Sequence, residues 1–131
     1  MIPYGRQTIS EDDIQKVVEV LRSDFITQGP ILDNFEKILS SEVKVNFSVA
    51  SNSATSSLLI SCLALGLNKG DILWTSPNSF VASSNCALHC GAKIDFVDIE
   101  INTGNMCVEK LEEKLIIADK KNTLPKIVIP V

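Results

Sequence analysis

Short apolar runs recur along this chain at residues 47–50, 72–75, 94–97 and 127–131, and stretches with helical spacing lie between them at 54–67, 81–90 and 108–117. No other feature narrows the fold as much. Apolar runs without polar alternation belong to strands covered on both faces, and a helix between each pair leaves room for parallel neighbours. The pattern predicts a βαβαβαβ order with right-handed crossovers. It is an α/β fold, a mostly parallel sheet with helices on both faces. Gly66, Gly70 and Gly91 fall at the helix ends and turns of this order, where a left-handed backbone is often needed.

Two helices are expected ahead of the first strand. Ile14, Val17, Val18 and Leu21 follow Ser10 and an acidic run at 11–13, so Ser10 reads as the cap and the acidic residues as the first turn. Pro30 reads as the start of a second helix that buries Ile31, Leu32, Phe35, Ile38 and Leu39. Each has one apolar stripe and is expected to lie on something. Residues 1–44 thus read as an N-terminal helical segment and residues 45–131 as the first part of an α/β domain.

In an open parallel sheet, ligands bind beyond the carboxyl ends of the strands. Two loops are expected there, 51–55 and 76–80. The first belongs to Asn52-Ser53-Ala54-Thr55-Ser56-Ser57, whose small residues and hydroxyls stand beside the unpaired N–H groups of a helix start, which is a seat for a phosphate. The same turn also reads as an ordinary cap by Ser53 or Thr55. In the second loop Pro77 stiffens the turn ahead of Phe80. That ring either lies flat against a planar ligand whose phosphate reaches Ala54 and Thr55, or packs into the core.

Composition bounds the partners. A net charge of -4 with no Lys/Arg cluster longer than Lys120-Lys121 argues against nucleic acid and for a small molecule or another subunit. No apolar run approaches bilayer length, and the N-terminus lacks the apolar core of a signal peptide, so neither a membrane nor export is expected and the cytoplasm is the default. Cys62, Cys86, Cys90 and Cys107 read as reduced thiols. Cys86, His89 and Cys90, at i, i+3 and i+4, formally make a metal set with Cys107. Buried thiols on a packed helix account for them better, and no metal is expected.

Four segments occur together in family-like order: Ile26-Thr27-Gln28-Gly29-Pro30, the turn at 52–56, the run Trp74-Thr75-Ser76-Pro77-Asn78-Ser79-Phe80-Val81-Ala82-Ser83, and Val128-Ile129-Pro130-Val131. With the opening 2–7 and the segment 84–92, they make the chain resemble the N-terminal part of a sugar-nucleotide aminotransferase of the DegT/DnrJ/EryC1/StrS family. The resemblance covers essentially the whole chain. It implies the large domain of a fold-type-I transferase dependent on pyridoxal 5'-phosphate, with a seven-stranded sheet, used as a homodimer. By position, Ser53, Ala54 and Thr55 would hold the cofactor phosphate, Ala54 and Thr55 through their N–H groups and the Thr hydroxyl, and Phe80 would stack on the cofactor ring. Thr27, Gln28 and Tyr4 are implied substrate contacts. The implied reaction moves an amino group from glutamate to the C4 ketone of a UDP-linked 4-keto-6-deoxy-N-acetyl sugar.

The family's cofactor-bearing lysine, and the aspartate that pairs with the ring nitrogen, are expected beyond Val131. Lys93 and Lys126 stand only at strand starts, so no catalytic residue is assigned within the chain. Three readings follow: the N-terminal portion of a transaminase, inactive alone; a sugar dehydratase of the same family, which replaces the lysine; or a non-catalytic phosphate-binding or subunit-interaction module. A Rossmann enzyme fits poorly, because G-x-G-x-x-G does not follow the first apolar run.

Overall fold

The computed structural model describes residues 5–131, and the chain divides into two compact units, Met1–Ala50 and Ser51–Val131. Tyr4 lies outside the described residues.

The first unit holds α1 (Glu11–Leu21) and α2 (Pro30–Glu42). Ser10 closes a capping box as its composition predicts: its hydroxyl oxygen accepts from the Asp13 N–H at 3.2 Å, and its own N–H donates to the Asp13 carboxylate at 2.7 Å. Pro30 occupies the first turn of α2, where no N–H is missed. Gly29 ahead of it has φ +90°, and a Cβ there would sit 2.8 Å from the Phe25 Cβ, so this turn admits only glycine. Neither helix buries a residue. The apolar stripes expected to be covered, including Val17 and Phe35, stay exposed.

The second unit is an α/β layer. Its elements run α3 (Ala54–Ala64), β1 (Ile72–Thr75), α4 (Ala82–His89), β2 (Lys93–Phe96), α5 (Val108–Lys120) and β3 (Ile127–Ile129). The three strands form one parallel sheet in the order β2-β1-β3, with Leu73 opposite both Ile94 and Ile127. Alternate residues of the strands feed two cores. Leu73 packs with Ile94, Ile127 and Ile129 against Cys62 and Leu58 of α3 and Cys86 and Ala87 of α4. Trp74 packs with Ile72 and Val128 on the other face, against Leu111, Leu115 and Ala118 of α5. The sheet is therefore parallel and covered on both faces, as the apolar runs predict.

Gly66, Gly70 and Gly91 all take positive φ at helix ends and turns. Among the described residues, no helix is long and apolar enough to cross a membrane.

One predicted strand does not form. Residues 47–50 have no ladder partner among the described residues and are irregular, with Phe47 87% exposed. Their polar groups turn instead to α2: the Ala50 N–H donates to the Glu36 carboxylate at 2.8 Å, and the Ser48 hydroxyl donates to the Glu36 carbonyl. A strand exists only through its neighbours, and here a side chain supplies the acceptor that a neighbouring strand would. The order is thus ααα-βαβαβ, with β3 ending before Pro130, which has no N–H to extend it.

Candidate functional site

The start of α3 decides what this unit can hold. Ser53, extended at φ -163°, is the N-cap, and its hydroxyl accepts from the Ser56 N–H at 3.2 Å. The Ser57 N–H closes on the Ser53 carbonyl at 3.0 Å. The N–H groups of Ala54 and Thr55 have no acceptor among the described residues. The two readings of this turn are therefore compatible: Ser53 caps by taking the third donor and leaves the first two, at the positive end of the helix dipole, facing outward. Ser51 braces the turn, its hydroxyl 2.6 Å from that of Ser57 and donating to the Ser53 carbonyl at 2.9 Å.

Across from this helix start runs the loop after β1. Thr75 and Ser76 are buried at the end of the strand, and the Thr75 hydroxyl donates to the Ile129 carbonyl at 3.0 Å, tying β1 to β3. The chain then surfaces, and Phe80 is 75% exposed, which excludes ordinary core packing for its ring. Thr55 and Phe80 line one cleft of about 310 Å³, with Ser56 and Leu59 on the α3 wall and Asn85, Cys86 and His89 on the α4 wall. No carboxylate lines it, although the chain is acidic overall. Such a space offers the free Thr55 N–H, with that of Ala54 next to it in the chain, hydroxyls and an aromatic face, a set that suits an anionic, planar ligand.

The other candidates lie elsewhere. Thr27 and Gln28 are exposed in the turn before α2, within the first unit, and Gln28 has φ +59°. Lys93 opens β2 as predicted. Lys126 is occupied: its Nζ donates to the Gly66 carbonyl at 2.6 Å and to the Asp71 carboxylate at 3.0 Å, and that hydrogen bond holds the Asp71 carboxyl below its ordinary range. Lys114 is likewise engaged, 2.8 Å from Asp95 and 4.8 Å above the Trp74 ring.

Cys62, Cys86 and Cys90 share the core between α3, α4 and the sheet, whereas Cys107 stands apart at the start of α5. Cys62 and Cys86 are buried, Cys90 and Cys107 half-buried, and all four are free. Cys86 donates to the Ser83 carbonyl at 3.3 Å, and Cys107 precedes α5 and donates to Glu109 at 3.2 Å. The sequence reading missed the α4 wall. Its signal is the helical spacing of Ala82, Asn85, Cys86 and His89, of which Cys86 and His89 are weighed as ligands only in a metal set, and Ala82 and Asn85 enter only within family-like segments.

Known proteins are similar to this chain in sequence and in fold. The model of the DegT/DnrJ/EryC1/StrS aminotransferase family matches residues 7–131. A UDP-4-amino-4,6-dideoxy-N-acetyl-beta-L-altrosamine transaminase of Campylobacter jejuni is 40% identical over 116 residues, 88% of this chain and 30% of that protein. The spore coat polysaccharide biosynthesis protein SpsC of Bacillus subtilis is 38% identical over 111 residues, 85% of this chain and 28% of its own. Among solved structures, Helicobacter pylori PseC, an aminotransferase involved in the biosynthesis of pseudoaminic acid, superposes with a TM-score of 0.85 at 31% identity, covering 98% of this chain and 33% of that one. The PMP-form of the putative sugar aminotransferase Spr1654 of Streptococcus pneumoniae gives 0.82 at 31% identity, covering 98% and 31%. The chain spans about 30% of the length of the curated relatives it matches.

Proposed function

This chain belongs to the DegT/DnrJ/EryC1/StrS aminotransferase family, and from that premise we propose that it is the N-terminal portion of a sugar-nucleotide transaminase dependent on pyridoxal 5'-phosphate. In this reading residues 1–44 are the N-terminal helical segment and residues 45–131 the first part of the large domain. One observation carries the reading: Thr55, whose N–H is unpaired at a helix start beside that of Ala54, and the exposed Phe80 ring line the same carboxylate-free cleft. The residues fit the cofactor. The Ala54 and Thr55 N–H groups and the Thr55 hydroxyl hold its phosphate, Ser53 fixes the helix start that presents them, and the Phe80 ring covers its pyridine face.

When bound, the cofactor supplies an electron sink for amino transfer. The chain's own residues bind, orient and shield from water. Thr27, Gln28 and Tyr4 are proposed substrate contacts. The lysine that carries the cofactor and the aspartate that pairs with its ring nitrogen are proposed to lie outside these residues, and Lys114 and Lys126 are held by structural partners. The full protein is proposed to act in the cytoplasm as a homodimer, taking an amino group from glutamate to C4 of a UDP-4-keto-6-deoxy-N-acetylhexosamine in pseudaminic acid biosynthesis. Support for that substrate comes from the 40% identity to the Campylobacter transaminase.

The test is an assay of the longer protein that contains these residues, with glutamate and the UDP-keto sugar, read by mass spectrometry, beside the 131-residue chain alone. Amino sugar from the first and none from the second is the expected result. A deoxygenated product without nitrogen would favour the dehydratase reading, and turnover by the chain alone would overturn the proposal that it is a catalytically incomplete portion.

A further inference from the structure

Phe80 has an exposed ring and little packing to orient it, so its direction depends on the loop that carries it. That loop is held at one distant point. The Asn78 side-chain amide donates to the Gly104 carbonyl at 3.1 Å, across 26 residues of sequence. At the near end the Asn78 N–H donates to the buried Ser76 hydroxyl at 3.3 Å, so Asn78 links the end of β1 to the segment between β2 and α5.

That segment is itself stiff. An isolated bridge pairs Ile99 with Met106, the Gly104 N–H donates to the Glu100 carbonyl at 2.8 Å, and the Glu100 N–H donates to the Asn105 carbonyl at 2.9 Å. Gly104 has φ +75°, a conformation unfavourable to other residues, and a Cβ there would lie 3.1 Å from the Asn78 amide nitrogen. The turn thus lacks a side chain at the position where Asn78 arrives.

We propose that Asn78 is a positioning residue for the candidate site: by clamping the 76–80 loop to Gly104 it sets the Phe80 ring against the cleft that Thr55 shares. The inference rests on the reading of Phe80 as the ring-stacking residue. A loop held in the binding conformation does not lose that freedom when ligand arrives, so the clamp acts on affinity for the ring and not for the phosphate.

The experiment is a double-mutant cycle on the 131-residue chain, titrated with pyridoxamine 5'-phosphate and separately with inorganic phosphate, and accompanied by thermal melts. Pyridoxamine 5'-phosphate carries no aldehyde to react with surface lysines. Asn78→Ala is expected to weaken pyridoxamine 5'-phosphate about three- to tenfold, the span contributed by one stacked ring, with inorganic phosphate unchanged. Phe80→Ala is expected to do the same, and the double variant to be no weaker than Phe80→Ala alone. Asn78→Leu, of similar size but without a donor, repeats the test should Asn78→Ala unfold.

Loss of affinity in Phe80→Ala with none in the Asn78 variants would overturn the clamp and leave the stacking intact. No loss in Phe80→Ala would overturn the stacking and the clamp with it. Equal losses for both ligands in the Asn78 variants would assign Asn78 to general support of the fold and overturn the proposal.

Discussion

Cys62 shows how far a single side chain's chemistry follows from its place. It sits 1% exposed between α3 and the sheet, and burial, then the neighbouring Cys86 thiol, pushes its own thiol up to about 12. The folded value lies above the unfolded one, so this contribution to stability is complete below the unfolded thiol's pKa. It fades as pH rises through the window from there to about 12. Iodoacetamide at pH 9 is therefore expected to label Cys107 and spare Cys62 in the native chain, and to label both in denaturant. Labelling of native Cys62 as fast as Cys107, read by peptide mass spectrometry, would contradict the packing described. The sequence carried this environment only in outline, because helical spacing shows that a cysteine faces a core and not which other thiol meets it there.

At the scale of elements, the cap on α3 separates stability from binding. Ser53→Ala removes the acceptor for the Ser56 N–H and is expected to cost about 1 kcal/mol in a denaturation experiment. Ser53→Asp retains a cap and favours the helix dipole, but sets a carboxylate beside the free Ala54 and Thr55 N–H groups. It is expected to hold the melting temperature and lose phosphate affinity. Loss of stability in both variants, with phosphate affinity intact, would reduce the turn to an ordinary cap.

The five helices and the three paired strands were legible because the hydrophobic period changes where each begins. Residues 47–50 were not. Their apolar character matches a strand, but nothing local reveals that Glu36 takes the Ala50 N–H. Thr55 and Phe80 do line one cleft, but the expected route to it, two loops following neighbouring parallel strands, holds only for Phe80: the strand at 47–50 does not form and Thr55 lies in the first turn of α3. The Asn78 contact with Gly104 joins residues 26 apart and has no local signature.

Across the whole molecule, each unit presents apolar surface: Ile31 and Ile38 of α2 in the first, Ile60 and Leu63 of α3 in the second. Surface of this kind marks contact sites in larger proteins, which agrees with a chain spanning about 30% of its relatives' length. More narrowly, the start of α3 and the loop after β1 are proposed to form jointly a seat for a phosphate attached to a flat ring. The direct measurement is the amide and aromatic NMR spectrum of the 131-residue chain, titrated with pyridoxamine 5'-phosphate and with pyridoxamine. The expected result is that the phosphorylated ligand shifts the Ala54 and Thr55 amides and the Phe80 ring along one binding curve, while pyridoxamine at the same concentrations shifts none of them. Saturable binding that leaves the Ala54 and Thr55 amides where they were, or that moves them without Phe80, would contradict the account.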